Sequence, residues 1–110
     1  MADLNFYQVH SKSVPFSYGP FSHSLMVGGV LFISGQLGQD NRTRCLIGKD
    51  IESQTRKAME NIEEFLTSAS LDWSCIAKTT VYLKRIDDFH DFNECYAKFL
   101  KEPYPTRTVI

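Results

Sequence analysis

A change of hydrophobic period at Ile51 constrains this chain more than any other feature. Ile51, Thr55, Ala58, Ile62, Phe65, Leu66 and Ala69 recur at helical spacing, and Asp50 stands where an N-cap belongs. The period then drops to two. Ala77, Thr79, Val81 and Leu83 alternate with Lys78, Thr80, Tyr82 and Lys84, which predicts a half-buried strand. After Asp87-Asp88 helical spacing returns through Phe89, Phe92, Tyr96, Phe99 and Leu100. Pro103 and Pro105 end that helix, and Thr106 to Ile110 begins a further strand.

Upstream, Leu4 to Val9 reads as a first strand. A loop dense in Ser and aromatics follows over Pro15 to Ser22. Leu25-Met26-Val27, Gly28-Gly29 and Val30-Leu31-Phe32-Ile33 form a hairpin signal, since Gly-Gly supplies the positive φ of a two-residue turn. The second arm is apolar on both faces, which predicts cover on each side. Gly35 in Ser34-Gly35-Gln36 suggests a bulge or a close approach to the backbone. Gly38 to Lys49 is polar and reads as an exposed loop with a turn at Asp40-Asn41.

The order ββ(β)αβαβ, without repeats, describes one α+β domain over residues 1–110. It is a two-layer sandwich with two helices on one face of a mixed sheet. Thr80, Tyr82 and the apolar hairpin remain on the other face with nothing in the chain to cover them. That predicts a homo-oligomer.

Charge and composition narrow the chemistry. Twelve Lys and Arg against thirteen Asp and Glu give a net charge of −1, which argues against nucleic acid as a partner. No apolar run approaches the ~20 residues of a membrane helix. Met1 to Asn5 carries neither a basic region nor an apolar stretch, so no export signal is expected. Cys45, Cys75 and Cys95 are odd in number and widely spaced, which favours reduced thiols and a cytosolic location, with mitochondrial residence left open. His10, His23 and His90 form no metal-ligand spacing. His90 beside Asp87, Asp88 and Asp91 fits a solvated helix start better than a hard-metal site. No Gly-rich phosphate loop occurs. The expectation is no metal and no cofactor.

Four ordered segments resemble the RidA/YjgF family of reactive-imine deaminases. They are Gly19-Pro20-Phe21-Ser22, Ile33-Ser34-Gly35-Gln36, Lys78 to Lys84 with Asp88-Phe89 and Phe92-Asn93, and Tyr104-Pro105-Thr106-Arg107-Thr108. The stretch Gln54 to Ile62 is similar to the family's first helix. The resemblance implies a chorismate-mutase-like fold, assembled as a trimer whose sheets form a central barrel with ligand clefts between subunits. It also implies cofactor-free hydrolysis of 2-imino acids, such as 2-iminobutanoate and 2-iminopropanoate, to 2-oxo acids and ammonia.

Such a substrate needs a cation for its carboxylate and polar groups to aim one water. Arg107 suits the first task, because a planar guanidinium binds a carboxylate through two parallel hydrogen bonds. By resemblance it is the carboxylate-binding arginine; a surface ion pair is its bland alternative. Ser34 and Gly35 match cleft-lining positions. Phe21 stands where many members have tyrosine, keeping the wall but not the hydroxyl. Asn93 matches a family asparagine, against a helix-face amide bonded locally. Val109 stands where many members have cysteine, leaving only its backbone carbonyl to serve the water. The family continues through a further strand carrying a glutamate thought to place that water. The sequence runs to Ile110, and the expectation is a single domain over 1–110 without the final family strand. Asp87, Asp88 and Glu94 offer carboxylates without a geometric reason to prefer one. Two other readings stay open: a metabolite-binding trimer without catalysis, and an endoribonuclease or translation inhibitor, for which Lys12, Arg42, Arg44 and Lys49 would form the basic patch.

Overall fold

In the computed structural model, which describes residues 5–11, 14 and 17–110, the two helical stripes face each other and share a core. Helix α1 (Ile51–Ser68) begins where Asp50 accepts a hydrogen bond from the Ser53 N–H, as its position predicts. Its buried residues include Thr55, Met59, Phe65 and Leu66. Helix α2 (Phe89–Ala97) follows a single 3-10 turn at Ile86–Asp88 and buries Phe92, Cys95 and Tyr96. Met59, Phe92, Tyr96 and Leu100 form the core cluster, with Val81, Leu83 and Trp73 packed against it. Full burial of each such apolar side chain contributes about 1.5–3 kcal/mol.

The strands are β1 (Phe6–Gln8), β2 (Ser24–Val27), β3 (Val30–Ile33), β4 (Gln39–Asp40), β5 (Cys45–Leu46), β6 (Lys78–Val81) and β7 (Thr106–Val109). β1, β2 and β3 make an antiparallel meander, β4 and β5 a small antiparallel pair, and β6 and β7 a parallel pair. The α+β class and the mixture of parallel and antiparallel pairing agree with the sequence. The pairings fall into three ladders because no described strand joins β3 to β6 and β7. Leu4, Lys12, Pro15 and Phe16, which entered the predicted first strand, basic patch and loop, lie outside the described residues.

The Gly28-Gly29 turn is as expected: φ is 55° and 80°, and Val27 pairs with Val30 across it. Two expectations need correction. The predicted loop from Gly38 to Lys49 contains β4 and β5, because Asp40 Oδ1 accepts from the Arg42 and Thr43 N–H groups and folds the segment into a hairpin. The second arm, β3, is not covered on both sides. Leu31 and Ile33 are half-buried, while Val30 and Phe32 are exposed, Phe32 at 60%. Tyr82 is likewise 75% exposed. Large apolar side chains of β3 and of the segment just after β6 therefore stand exposed.

Candidate functional site

β7 runs parallel to β6, with Thr79 opposite Arg107 and Val81 opposite Val109. The Thr106 N–H donates to Ala77 O, the Ile110 N–H to Val81 O, and the Leu83 N–H to Ile110 O. Even-numbered residues of β7 thus turn their backbone groups toward β6. By alternation, the N–H and C=O of Arg107 and Val109 face the opposite edge, which no described strand pairs.

The Arg107 side chain reaches back to α2. Nη1 donates to Asn93 Oδ1 at 2.7 Å, and the guanidinium carbon lies 5.1 Å from the centroid of the Tyr96 ring and 5.6 Å from that of Phe89. Tyr96 is itself fixed, being buried and sharing a 2.8 Å hydrogen bond with Thr79 Oγ1. No carboxylate among the described residues pairs with Arg107, so its charge stays available. Asn93, predicted as substrate-binding, has its carbonyl oxygen engaged by the arginine and positions it. Tyr96 was legible only as a core aromatic, and Phe89 as a core aromatic within the family-like Asp88-Phe89 segment, neither as a partner of Arg107. The missed signal is that Phe89, Asn93 and Tyr96 fall at i, i+4 and i+7, on one helix face.

Phe21, Ser34 and Gly35 form a second cluster, at the end of β3. Ser34 Oγ donates to Ser22 O at 2.6 Å, and the Ser34 N–H donates to His23 O at 2.8 Å, pinning the loop to the strand. The hydroxyl proton is committed, so toward a ligand Ser34 offers acceptor lone pairs. Ser17 Oγ donates to Phe21 O and to Gly19 O, closing the loop on itself. The Phe21 ring meets Tyr18 edge-on at 6.0 Å and His23 at 5.5 Å, and His23 stacks on Phe65 of α1 at 5.7 Å. Arg44 lies over the outer end of this row, 4.4 Å from the Tyr18 centroid.

Gly35 corrects an expectation. A Cβ there would meet nothing within 4 Å, so no neighbour approaches its backbone closely. The close approach is at Gly38, where a Cβ would stand 2.4 Å from Gln54 Cα of α1. Gly35 opens instead onto a cavity of ≈ 280 Å³, lined also by Tyr18, Phe21, Arg42 and Arg44. Asn61, 2% exposed, fixes the wall behind this cavity by donating to Leu37 O and Gln39 O at 3.0 and 2.9 Å. Arg107 does not line the cavity. One chain therefore carries two separate groups: Arg107, Asn93 and Val109, and then Phe21, Ser34 and Gly35.

His90 Nε2 lies 3.3 Å from Glu94 Oε1, both side chains exposed. Among the described residues no three His, Cys, Asp or Glu are grouped to hold a metal, and no helix is long and apolar enough to cross a membrane. Cys45 and Cys75 are exposed and Cys95 is buried; all three are free.

Comparison with known proteins identifies the family of the chain. The family described as endoribonuclease L-PSP matches residues 11–110. A RutC family protein of Sulfurisphaera tokodaii is 36% identical over 102 residues, which cover 93% of this chain and 82% of that one. The human 2-iminobutanoate/2-iminopropanoate deaminase is 32% identical over 99 residues, 90% of this chain and 72% of that one. Among solved structures, the Rid family protein YyfA of Yersinia pestis has a TM-score of 0.90 at 31% identity, covering 96% of this chain and 85% of that one. RidA from an Antarctic Psychrobacter has a TM-score of 0.84, also at 31% identity, over 94% and 84% of the two chains. With a family match over residues 11–110 and a relative 36% identical over 102 residues, the chain belongs to the RidA/YjgF family, also described as endoribonuclease L-PSP.

Proposed function

We propose that the protein hydrolyses reactive 2-imino acids, such as 2-iminobutanoate and 2-iminopropanoate, to 2-oxo acids and ammonia, without a cofactor. One observation carries this reading. The Arg107 guanidinium is held by an amide oxygen and two aromatic rings, yet no carboxylate among the described residues neutralises it. Only one of its five N–H donors is taken by Asn93, which leaves an edge for two parallel hydrogen bonds to a carboxylate. The deaminase named among the relatives supports the same chemistry.

The substrate is the protonated imine of a 2-oxo acid, R–C(=NH2⁺)–COO⁻. Arg107 fixes the carboxylate and so the position of the imine carbon. A water oxygen bonds to that carbon, and one of its protons passes to nitrogen. The C–N bond then breaks as the new hydroxyl loses its proton, giving R–CO–COO⁻ and NH4⁺. The Val109 carbonyl, on the same strand edge as the Arg107 backbone, accepts a hydrogen bond from the attacking water. Holding both reactants converts an encounter into an intramolecular step, the largest rate gain such a site offers without an acid–base pair.

The reading includes a homotrimer with its clefts between copies. Arg107, Asn93 and Val109 come from one copy, and Phe21, Ser34 and Gly35 from its neighbour. The separation of the two groups in one chain supports this, as does the exposure of Val30, Phe32 and Tyr82. The cytosol is the compartment assigned, on the ground of three free cysteines.

The test is hydrolysis of 2-iminobutanoate generated in situ, by buffer, by the protein and by Arg107→Ala, with the mass in solution measured by light scattering. Acceleration lost in the variant, from a trimeric protein, is the expected result. A trimer that binds 2-oxobutanoate but never accelerates hydrolysis would replace catalysis with metabolite binding.

A further inference from the structure

The cavity beside Gly35 has a charge pattern that a small monocarboxylic imine does not use. Its charged lining residues are Arg42 and Arg44, and no Asp or Glu lines it. The nearby Asp40 carboxylate is turned inward on its own hairpin, accepting from the Arg42 and Thr43 N–H groups, and those bonds hold its pKa below the ordinary value. Arg44 is the better-defined cation. Its φ of 62° lies in the left-handed region that residues with a Cβ avoid, and its guanidinium carbon lies 4.4 Å over the centroid of the Tyr18 ring. An aromatic ring holds a guanidinium without consuming its N–H donors, which serve an anion. A strained backbone and an aromatic rest thus present one cation to the cavity that Phe21 and Gly35 also line.

We propose that Arg44 receives a second carboxylate, so that the preferred substrates are the 2-imino acids derived from acidic amino acids, namely 2-iminosuccinate and 2-iminoglutarate. This rests on the deaminase reading for the identity of the reacting group. The anion at Arg44 is inferred from the cavity alone. A guanidinium edge also takes phosphate, but amino-acid imines bring carboxylates, and the test separates the two.

Calorimetry on the intact protein compares 2-oxoglutarate, 2-oxobutanoate and inorganic phosphate, each stable against hydrolysis. The expected result is that 2-oxoglutarate binds about tenfold more tightly than 2-oxobutanoate, the increment of one charge-assisted contact. In Arg44→Gly that preference disappears while 2-oxobutanoate affinity holds. Glycine suits the positive φ, so the variant should melt no lower than the parent. Equal affinities in the parent, a preference that survives Arg44→Gly, or phosphate binding more tightly than 2-oxoglutarate would each overturn the proposal. Hydrolysis of 2-iminobutanoate decides the deaminase reading separately, whatever the calorimetry shows.

Discussion

Asn93 Oδ1 accepts a 2.7 Å hydrogen bond from Arg107 Nη1, so the amide of α2 sets the direction of a cation carried by β7. The two residues come from different layers, and the bond forms only once the helix has docked on the strand. Site geometry and tertiary packing are therefore one event in this protein.

Asn93→Ala should leave the fold intact and free the guanidinium to swing. Imine hydrolysis is expected to fall by between about ten- and a hundredfold, the cost of misplacing a positioning group. Asn93→Asp should be worse, since it gives Arg107 a permanent counter-ion, and its rate should approach that of Arg107→Ala. Steady-state kinetics on the three variants, with circular dichroism as the folding control, checks this. An Asn93→Asp rate equal to the parent's would remove the positioning role.

Two glycines three residues apart should respond oppositely to the same change. Gly38→Ala forces a Cβ to within 2.4 Å of Gln54 Cα, so strand or helix must shift. A loss of about 1–3 kcal/mol in urea unfolding is expected, as for other overpacked sites. Gly35→Ala meets nothing within 4 Å and should unfold like the parent. Its methyl narrows the cavity, however, and should weaken 2-oxo acid binding. Equal stability losses at both positions would contradict the assignment.

Asn61→Ala removes the amide that caps two backbone carbonyls from inside the core. Leaving Leu37 O and Gln39 O unsatisfied should cost about 2–3 kcal/mol in chemical denaturation. Hydrogen exchange should show β4 opening first. A variant as stable as the parent would mean that water replaces the amide at no cost.

Acid should weaken the fold through its carboxylate caps. Asp50 lies below its ordinary value of 3.8 because it accepts from the backbone N–H and side chain of Ser53. Asp72 is lowered chiefly by the Ser74 hydroxyl and then by the Ser74 N–H. A depressed folded-state pKa contributes stability that is present above the unfolded value and lost as pH falls through the folded one. The melting temperature should be level above about pH 5 and decline between about pH 4 and 2. Asp50→Asn, which caps without charge, should flatten that decline. An unchanged slope would point to other groups.

The periodic parts of the fold were legible because burial imposes a period. Phe65 and Leu66 had to face inward with Thr55, and Val81 with Leu83, whatever covered them. The Gly28-Gly29 turn was legible because positive φ selects glycine. β4 and β5 were not, since two-residue strands are too short to show alternation. Nor did a glycine's letter show whether Gly35 or Gly38 meets a neighbour, for that depends on where α1 passes. In the site, the resemblance named Arg107 and Asn93, but their bond spans fourteen residues and two layers. Arg44 read only as one of four cations of a basic patch; its positive φ and its rest on Tyr18 exist only once the hairpin has closed.

The parallel pairing of β6 and β7 carries one more consequence. Arg107 and Val109 are two residues apart on a strand, a repeat of about 6.6 Å that backbone geometry fixes. The backbone points that carry the Arg107 side chain and the Val109 carbonyl thus sit at the marks of a ruler whose pitch no side chain sets. Exchanging the side chain at Val109 leaves those marks in place, whereas a bulge or inserted residue between them would miscalibrate the site while every side chain kept its identity.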